Sequence, residues 1–133
     1  MQNSELLGLA KGAAKNAHCP YSRFAVGAAV LWCDGSTSVG VNVENASYPL
    51  GVCAERNAIA AGICAGGKKV VTVAVWAAVD ESVSPCGGCR QVIHEFAAGP
   101  STQVLMGGNG DAKTSTISEL LPLAFDTSSL KND

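Results

Sequence analysis

Apolar positions recur at three- and four-residue steps through SELLGLAKGAAKNA (4–17), where Leu6, Leu9, Ala10, Ala13 and Ala17 fall on one stripe behind a capping Ser4. That spacing predicts an amphipathic first helix, ended by CPYS. FAVGAAVLW (24–32) and SVGVNVEN (38–45) are rich in valine and flank CDGST. Asp34-Gly35 is a turn signal, so the pair predicts a β-hairpin. Glycines inside both strands point to close backbone approach. CAERNAIAAGICAGG (53–67) consists of helix formers and stops at a glycine pair. KVVTVAVWAAV (69–79) is a near-continuous, β-branched apolar run, the pattern of a central strand buried on both faces. CGGCRQVIHEFAAG (86–99) predicts a helix, TQVLMGG (102–108) a strand, Asn109-Gly110 a turn, and TISELLPLAF (116–125) a short capped helix limited by Pro122.

The order is α-β-β-α-β-α-β-α, with no internal repeat and no dividing linker. It predicts the α/β class: a three-layer α/β/α arrangement of a mixed sheet with helices on both faces. Residues 1–133 are expected to form a single domain, with the tail frayed from about residue 127.

Composition narrows the function. The 133 residues are 47% hydrophobic, enough for one core that buries roughly two-thirds of the unfolded surface. A net charge of −2 with no run of Lys or Arg leaves no footprint for a nucleic-acid polymer. No apolar run approaches the roughly 18–20 residues that span a bilayer, and the first residues lack a leader pattern, so a soluble, cytoplasmic protein is expected. Six cysteines in such a composition read as reduced thiols rather than a disulfide framework, and reduced thiols can bind metal.

A lone C-x-x-C serves zinc, redox chemistry or packing alike. Here Cys86 and Cys89 open one predicted helix and Cys53 opens another. If the two helices run side by side, three thiols gather at N-termini that favour thiolates. Cys64 lies about 16 Å further along its helix and His94 about 7.5 Å, too far to share an ion. Cys19 and Cys33 have no ligand-like neighbours, and these two and Cys64 are read as small buried hydrophobes, the plain alternative for every thiol. Three sulfurs leave a fourth zinc position for water. Glu55, two residues after Cys53, could then act as general acid/base; without the cysteines it would read as a first-turn acid favouring the helix dipole. Three thiolates sum to −1 on Zn²⁺, which works against ionising water, and Arg56 or Arg90 could offset that charge by donating to sulfur. Arg90 reads equally well as a surface residue.

FAVGAAV, GVNVENASY, CAERNAI, SPCGGCRQVI and ELLPLAF, in this order and spacing, resemble the small zinc-dependent cytidine deaminases that act on free nucleosides. The resemblance runs from about residue 20 to 125, with Cys53 at a first-ligand position that is His or Cys in such enzymes. It implies one Zn²⁺ per chain on Cys53, Cys86 and Cys89. It also implies hydrolytic deamination of cytidine and 2′-deoxycytidine by zinc-activated water with Glu55 as proton shuttle, in pyrimidine salvage. Asn42 and Glu44, alternating on one strand and in isolation readable as a solvent-facing edge, are implied to bind the ribose 3′-hydroxyl. A 3′-phosphate would meet the Glu44 charge, which favours nucleosides over polynucleotides. Phe24, otherwise a core residue, is implied to pack on the base, and the backbone around Ala54 to recognise the pyrimidine. Relatives of this length are usually homotetramers with shared sites. Phe125 matches an aromatic contributed across the interface, and Tyr48 and Tyr21 match positions near it. Leu123 stands where the family commonly has a smaller residue, and Val41 where it often has cysteine.

Three rivals make different expectations. A deaminase of another aminopyrimidine would differ in its use of cytidine, deoxycytidine and cytosine. A structural zinc module would need a fourth protein ligand. A thiol oxidoreductase on Cys86 and Cys89 would leave Cys53, Glu55 and Arg56 without a role.

Overall fold

The structure is a computed structural model that describes residues 1–130 of the 133. Its elements are α1 (Asn3–Ala14), β1 (Val26–Trp32), β2 (Thr37–Val41), α2 (Ala54–Cys64), β3 (Val70–Ala77), α3 (Gly87–Phe96), β4 (Gln103–Gly107), β5 (Lys113–Thr116) and α4 (Ile117–Leu120), with 3₁₀ turns at Tyr48–Leu50 and Thr127–Leu130. The five strands lie in the order β2-β1-β3-β4-β5. β1 pairs antiparallel with β2 and β3, β4 runs parallel to β3, and β5 is antiparallel to β4. This is the mixed sheet with helices on both faces that the pattern predicts.

Alternation along the strands divides the core. On one face Ala29, Ala74 and Leu105 pack against Leu6 and Ala10 of α1. On the other, Val30, Val73, Val75 and Val104 pack against Ala58 and Ile59 of α2, Ile93 of α3 and Ile117. β3 is central and mostly buried on both faces, as its near-continuous apolar run requires.

The strand glycines do what close approach demands. A Cβ at Gly27 would overlap the Ala10 carbonyl of α1, and one at Gly40 would overlap the backbone of α2 at Ala54 and Ala58. α2 is also tied to its neighbouring strand: Asn57 Nδ2 donates to the Val41 carbonyl at 2.8 Å, and Ser38 Oγ to the Ala58 carbonyl at 2.7 Å. Gly66, at φ +103°, takes the left-handed conformation that ends α2.

Several expectations need correction. α1 starts at Asn3, because Glu5 reaches back to accept from the Gln2 N–H at 3.3 Å. Its buried stripe is Leu6, Ala10 and Ala14, and Leu9 is exposed. β5 went unforeseen: KTST is short and polar, and an edge strand held by backbone bonds needs no apolar period. α4 does stop ahead of Pro122, at Leu120, since a residue before proline is driven to extended backbone and Leu121 has ψ 72°. Its start is a capping box in which the Glu119 N–H donates to Thr116 Oγ1 and the Thr116 N–H to Glu119 Oε1. The tail expected to fray from about 127 begins with the Thr127–Leu130 turn, and its remainder lies outside the described residues.

Candidate active site

Cys53 and Cys86 are the N-cap residues of α2 and α3, and Cys89 sits in the first turn of α3. Both helices lie on the same face of the sheet, so their N-termini converge. Cys53 Sγ is 3.9 Å from Cys86 Sγ, and Cys86 Sγ is 3.5 Å from Cys89 Sγ. Among the described residues these three form the one group of metal-capable side chains whose ligand atoms all lie within 4.8 Å of one another. Sulfurs bound at about 2.3 Å to a tetrahedral zinc lie about 3.8 Å apart, so the two contacts bracket the required edge. The donor set fits zinc.

The electrostatics differ among the ligands. Cys89 is buried, and that burial pushes its thiol up, reinforced by the charges of Glu55 and Cys53. Cys86 is exposed, and the backbone N–H of Cys89 holds its thiol below the usual range.

Glu55 is only 5% exposed. Burial raises its carboxyl above the ordinary value, opposed by a backbone hydrogen bond and by hydrogen bonding to Cys89. It thus stands beside the sulfur group from the first turn of α2. Arg56 Nη2 donates to Cys53 Sγ at 3.7 Å. Arg90 points elsewhere: its three nitrogens donate to the Pro85 carbonyl, the Leu120 carbonyl and Ser84 Oγ. Of the two arginines offered as sulfur donors, Arg56 takes that part, and Arg90, which read equally well as a surface residue, is tied to backbone and hydroxyl oxygens instead.

Cys19, Cys33 and Cys64 stand apart as free thiols, half-buried or exposed rather than the buried hydrophobes expected. His94 is 3.5 Å from Asp126, away from the sulfurs.

A cavity of about 200 Å³ opens beside the sulfurs, lined by Phe24, Asn42, Ala54, Glu55, Val83 and Ser84 among others. β2 ends at Val41, so Asn42 and Glu44 lie past its end. They still flank Val43, whose bridges to His18 and Val52 keep the backbone extended. Both side chains face the 21–26 segment. Asn42 Oδ1 accepts from the Val26 N–H at 3.0 Å, and its Nδ2 donates to the Phe24 carbonyl at 2.7 Å. Glu44 accepts from the N–H groups of Tyr21 and Ser22, both at 3.1 Å, and from the Ser22 hydroxyl. The Ser22 hydroxyl in turn accepts from the Phe24 N–H at 3.0 Å. Ser22 was missed in the sequence, although its place between Tyr21 and Phe24 was a usable signal.

A second recess of about 350 Å³ is lined by Tyr21, Ser22, Glu44, Asn45, Tyr48 and Gly51. Tyr48 is 74% exposed, and its ring meets Tyr21 edge-on at 5.8 Å. Phe125 is exposed, and Gln91 Nε2 of α3 donates to its carbonyl at 2.7 Å. Within this chain Phe125 does not line the cavity.

Comparison with known proteins gives a consistent answer. Residues 1–106 match the family model described as the cytidine and deoxycytidylate deaminase zinc-binding region. A cytidine deaminase of Halalkalibacterium halodurans is 47% identical over 126 residues, which cover 94% of this chain and 95% of that protein. One of Sporosarcina psychrophila is 41% identical over 130 residues, covering 98% of this chain and 96% of that one. The crystal structure of cytidine deaminase from Burkholderia pseudomallei superposes with a TM-score of 0.88 at 40% identity, covering 94% of this chain and all of that one. On the strength of the sulfur cluster, the sheet order and these matches, the chain belongs to the cytidine and deoxycytidylate deaminase zinc-binding family.

Proposed function

We propose that this protein hydrolyses cytidine and 2′-deoxycytidine to uridine and 2′-deoxyuridine, releasing ammonia, in pyrimidine salvage. The observation that carries the reading is the trio of sulfurs at zinc-compatible separations with a buried carboxyl beside it. Zinc, when held by Cys53, Cys86 and Cys89, supplies the Lewis acidity that makes hydroxide available at neutral pH.

The rest of the reaction falls to the chain's own groups. Burial raises the proton affinity of the Glu55 carboxylate, which suits it to take up a proton and give it away again. It accepts the proton of water, passes it to N3 of the cytosine ring, and helps deliver a proton to the amino group departing from C4. Phe24 and Val83 offer apolar walls for the base, and Ala54 lies within the same cavity. Arg56, donating to Cys53 sulfur, withdraws charge from three thiolates that together with Zn²⁺ would sum to −1.

Asn42 and Glu44 suit the sugar. A carboxylate has about four lone-pair positions, and Glu44 spends three on Tyr21 and Ser22, leaving one for a ribose hydroxyl. Its charge disfavours a 3′-phosphate, which supports a free nucleoside over a polynucleotide.

The assembly we propose is a homotetramer with active sites completed by neighbouring chains, supported by the exposed side chains of Tyr48, Leu123 and Phe125. Leu123 is fully solvent-exposed at φ +54°, an unfavourable state for an isolated leucine. A cytoplasmic setting accords with six unpaired thiols. No helix among the described residues is long and apolar enough to cross a membrane.

The test is uridine formation from cytidine before and after zinc removal, with cytosine as comparison. Activity should vanish with the metal and return with it, and Glu55→Gln should keep zinc while losing most turnover. Turnover that persists in Glu55→Gln, or a marked preference for cytosine, would overturn the roles of Glu55 or of Asn42 and Glu44 respectively.

A further inference from the structure

Arg90 follows a sulfur ligand directly yet gives none of its hydrogen bonds to sulfur. Nε donates to the Pro85 carbonyl at 2.8 Å, Nη2 to Ser84 Oγ at 2.7 Å and Nη1 to the Leu120 carbonyl at 2.8 Å. These acceptors belong to two separate stretches: the loop that delivers Cys86, and the last residue of α4. One planar group is therefore bonded to both.

The loop needs such an anchor. Nine residues without regular structure, 78–86, link β3 to α3. Pro85, just before the ligand, is fully buried, and a proline has no N–H to hold the chain by a backbone ladder. Its buried carbonyl requires a donor. Ser84 and Cys86, on either side, both line the cavity beside Glu55. The position of Cys86 sulfur is thus set from one side by α3, which it caps, and from the other by a loop whose bonds to Arg90 are the ones just described.

We propose that Arg90 is a positioning residue, clamping the Ser84–Cys86 loop to the end of α4 so that Cys86 sulfur is pre-set within reach of Cys53 and Cys89. The clamp makes metal retention depend on α4, an element that touches neither the sulfurs nor the cavity. A guanidinium suits the task because its rigid fork addresses three oxygens at once, whereas a lysine ammonium is a single point. This inference rests on the proposed zinc site and goes beyond the roles assigned there.

The experiment compares Arg90→Lys and Arg90→Gln with the unsubstituted protein. Zinc release to a chromogenic chelator should be about 10- to 100-fold faster in both, the scale of losses on removing a ligand's supporting partner. kcat for cytidine should fall by about tenfold with KM nearly unchanged, because Asn42 and Glu44 are untouched. Amide exchange at residues 86–89 should quicken while that of α1 stays constant. Gln91→Ala cuts only the bond from α3 to the Phe125 carbonyl, so its zinc release should match the parent. Should both arginine variants fail to fold, Ser84→Ala removes one of the three acceptors and should speed zinc release in the same direction by a smaller factor. Arg90→Lys with a lowered melting temperature but parental zinc release and kcat would overturn the proposal, leaving Arg90 a packing residue only. An unsubstituted protein that holds zinc but forms no uridine would overturn the proposed function instead, while the zinc-release comparison would still decide the role of Arg90.

Discussion

Gly40→Ala puts the link between fold and chemistry under direct test. The added Cβ would lie 2.6 Å from the Ala54 carbonyl oxygen and 2.8 Å from Ala58 Cα, whereas ordinary contact begins near 3.4 Å. Both obstacles are helix backbone, so no side chain can swing aside, and α2 must draw back from β2 by roughly 1 Å. That retreat lengthens the 2.8 Å Asn57–Val41 and 2.7 Å Ser38–Ala58 bonds beyond useful range. Overpacking costs about 1–3 kcal/mol, and two weakened hydrogen bonds add about 1 kcal/mol each, so a loss of about 3–5 kcal/mol is expected. In a domain of this size that lowers the melting temperature by about 10–20 °C. The chemistry should suffer separately. Cys53 and Glu55 ride on the N-terminus of α2, while Cys86 and Cys89 belong to α3. Ligand distances tolerate about 0.2 Å, and a misplacement of about 1 Å can cost 10²-fold in rate. Thermal melts, zinc content and uridine formation, measured well below the transition, read the two effects apart. Gly8→Ala is the control: it lies exposed in α1 with nothing within 4 Å, and should gain up to about 1 kcal/mol from helix propensity with unchanged activity. A Gly40→Ala protein that melts within 2 °C of the parent would refute the packing argument. One that melts low but keeps full zinc and turnover would refute the coupling of α2 to the site.

Two further outcomes are expected. Arg56→Gln removes the donor to Cys53 sulfur and should slow turnover by about tenfold with zinc still bound; unchanged kcat would show that the charge on the sulfurs needs no offset. Glu44 is held below its ordinary 4.5, first by the Ser22 hydroxyl. The unfolded chain therefore binds more protons in that window, so this contribution to stability is present above about pH 4.5 and is lost as pH falls through the folded value. Ser22→Ala should move the Glu44 titration, followed by NMR, back towards 4.5, flatten the acid-side loss of stability and raise KM by freeing Phe24; an unmoved titration would sink the network.

Much of the architecture was legible because local patterns carried it. The near-continuous apolar run of 69–79 marked a strand covered on both faces, and the glycines at 27 and 40 marked the two places where helices touch strand backbone. β5 was not legible: its four polar residues are held by pairing with β4 at the sheet edge and bury no face of their own. The stop of α4 was legible, because Pro122 limits the helix and acts one residue before itself. At the site, the C-x-x-C spacing and the nearness of Glu55 to Cys53 are local facts, open to reading from the chain. That Asn42 and Glu44 grip the 21–26 segment is not, because their strand ends before them and only the Val43 bridges keep them in line.

The residues themselves dictated where α2 and α3 begin, which thiols stand at their N-cap positions, and that an acid follows the first thiol within one turn. These are matters of the nearest few neighbours, governed by backbone geometry that acts over one turn or one strand pair. The meeting of Cys53 with Cys86 across 33 positions had to wait for the sheet, whose order sets α2 and α3 on one face with their N-termini together. The same packing turned Arg56 towards sulfur and Arg90 towards the loop and α4, and the partners of Arg90 could not be read from its neighbours in the chain. Long-range packing made that choice, because it set Arg56 beside the Cys53 sulfur and Arg90 between the Pro85 and Leu120 carbonyls, which need a donor.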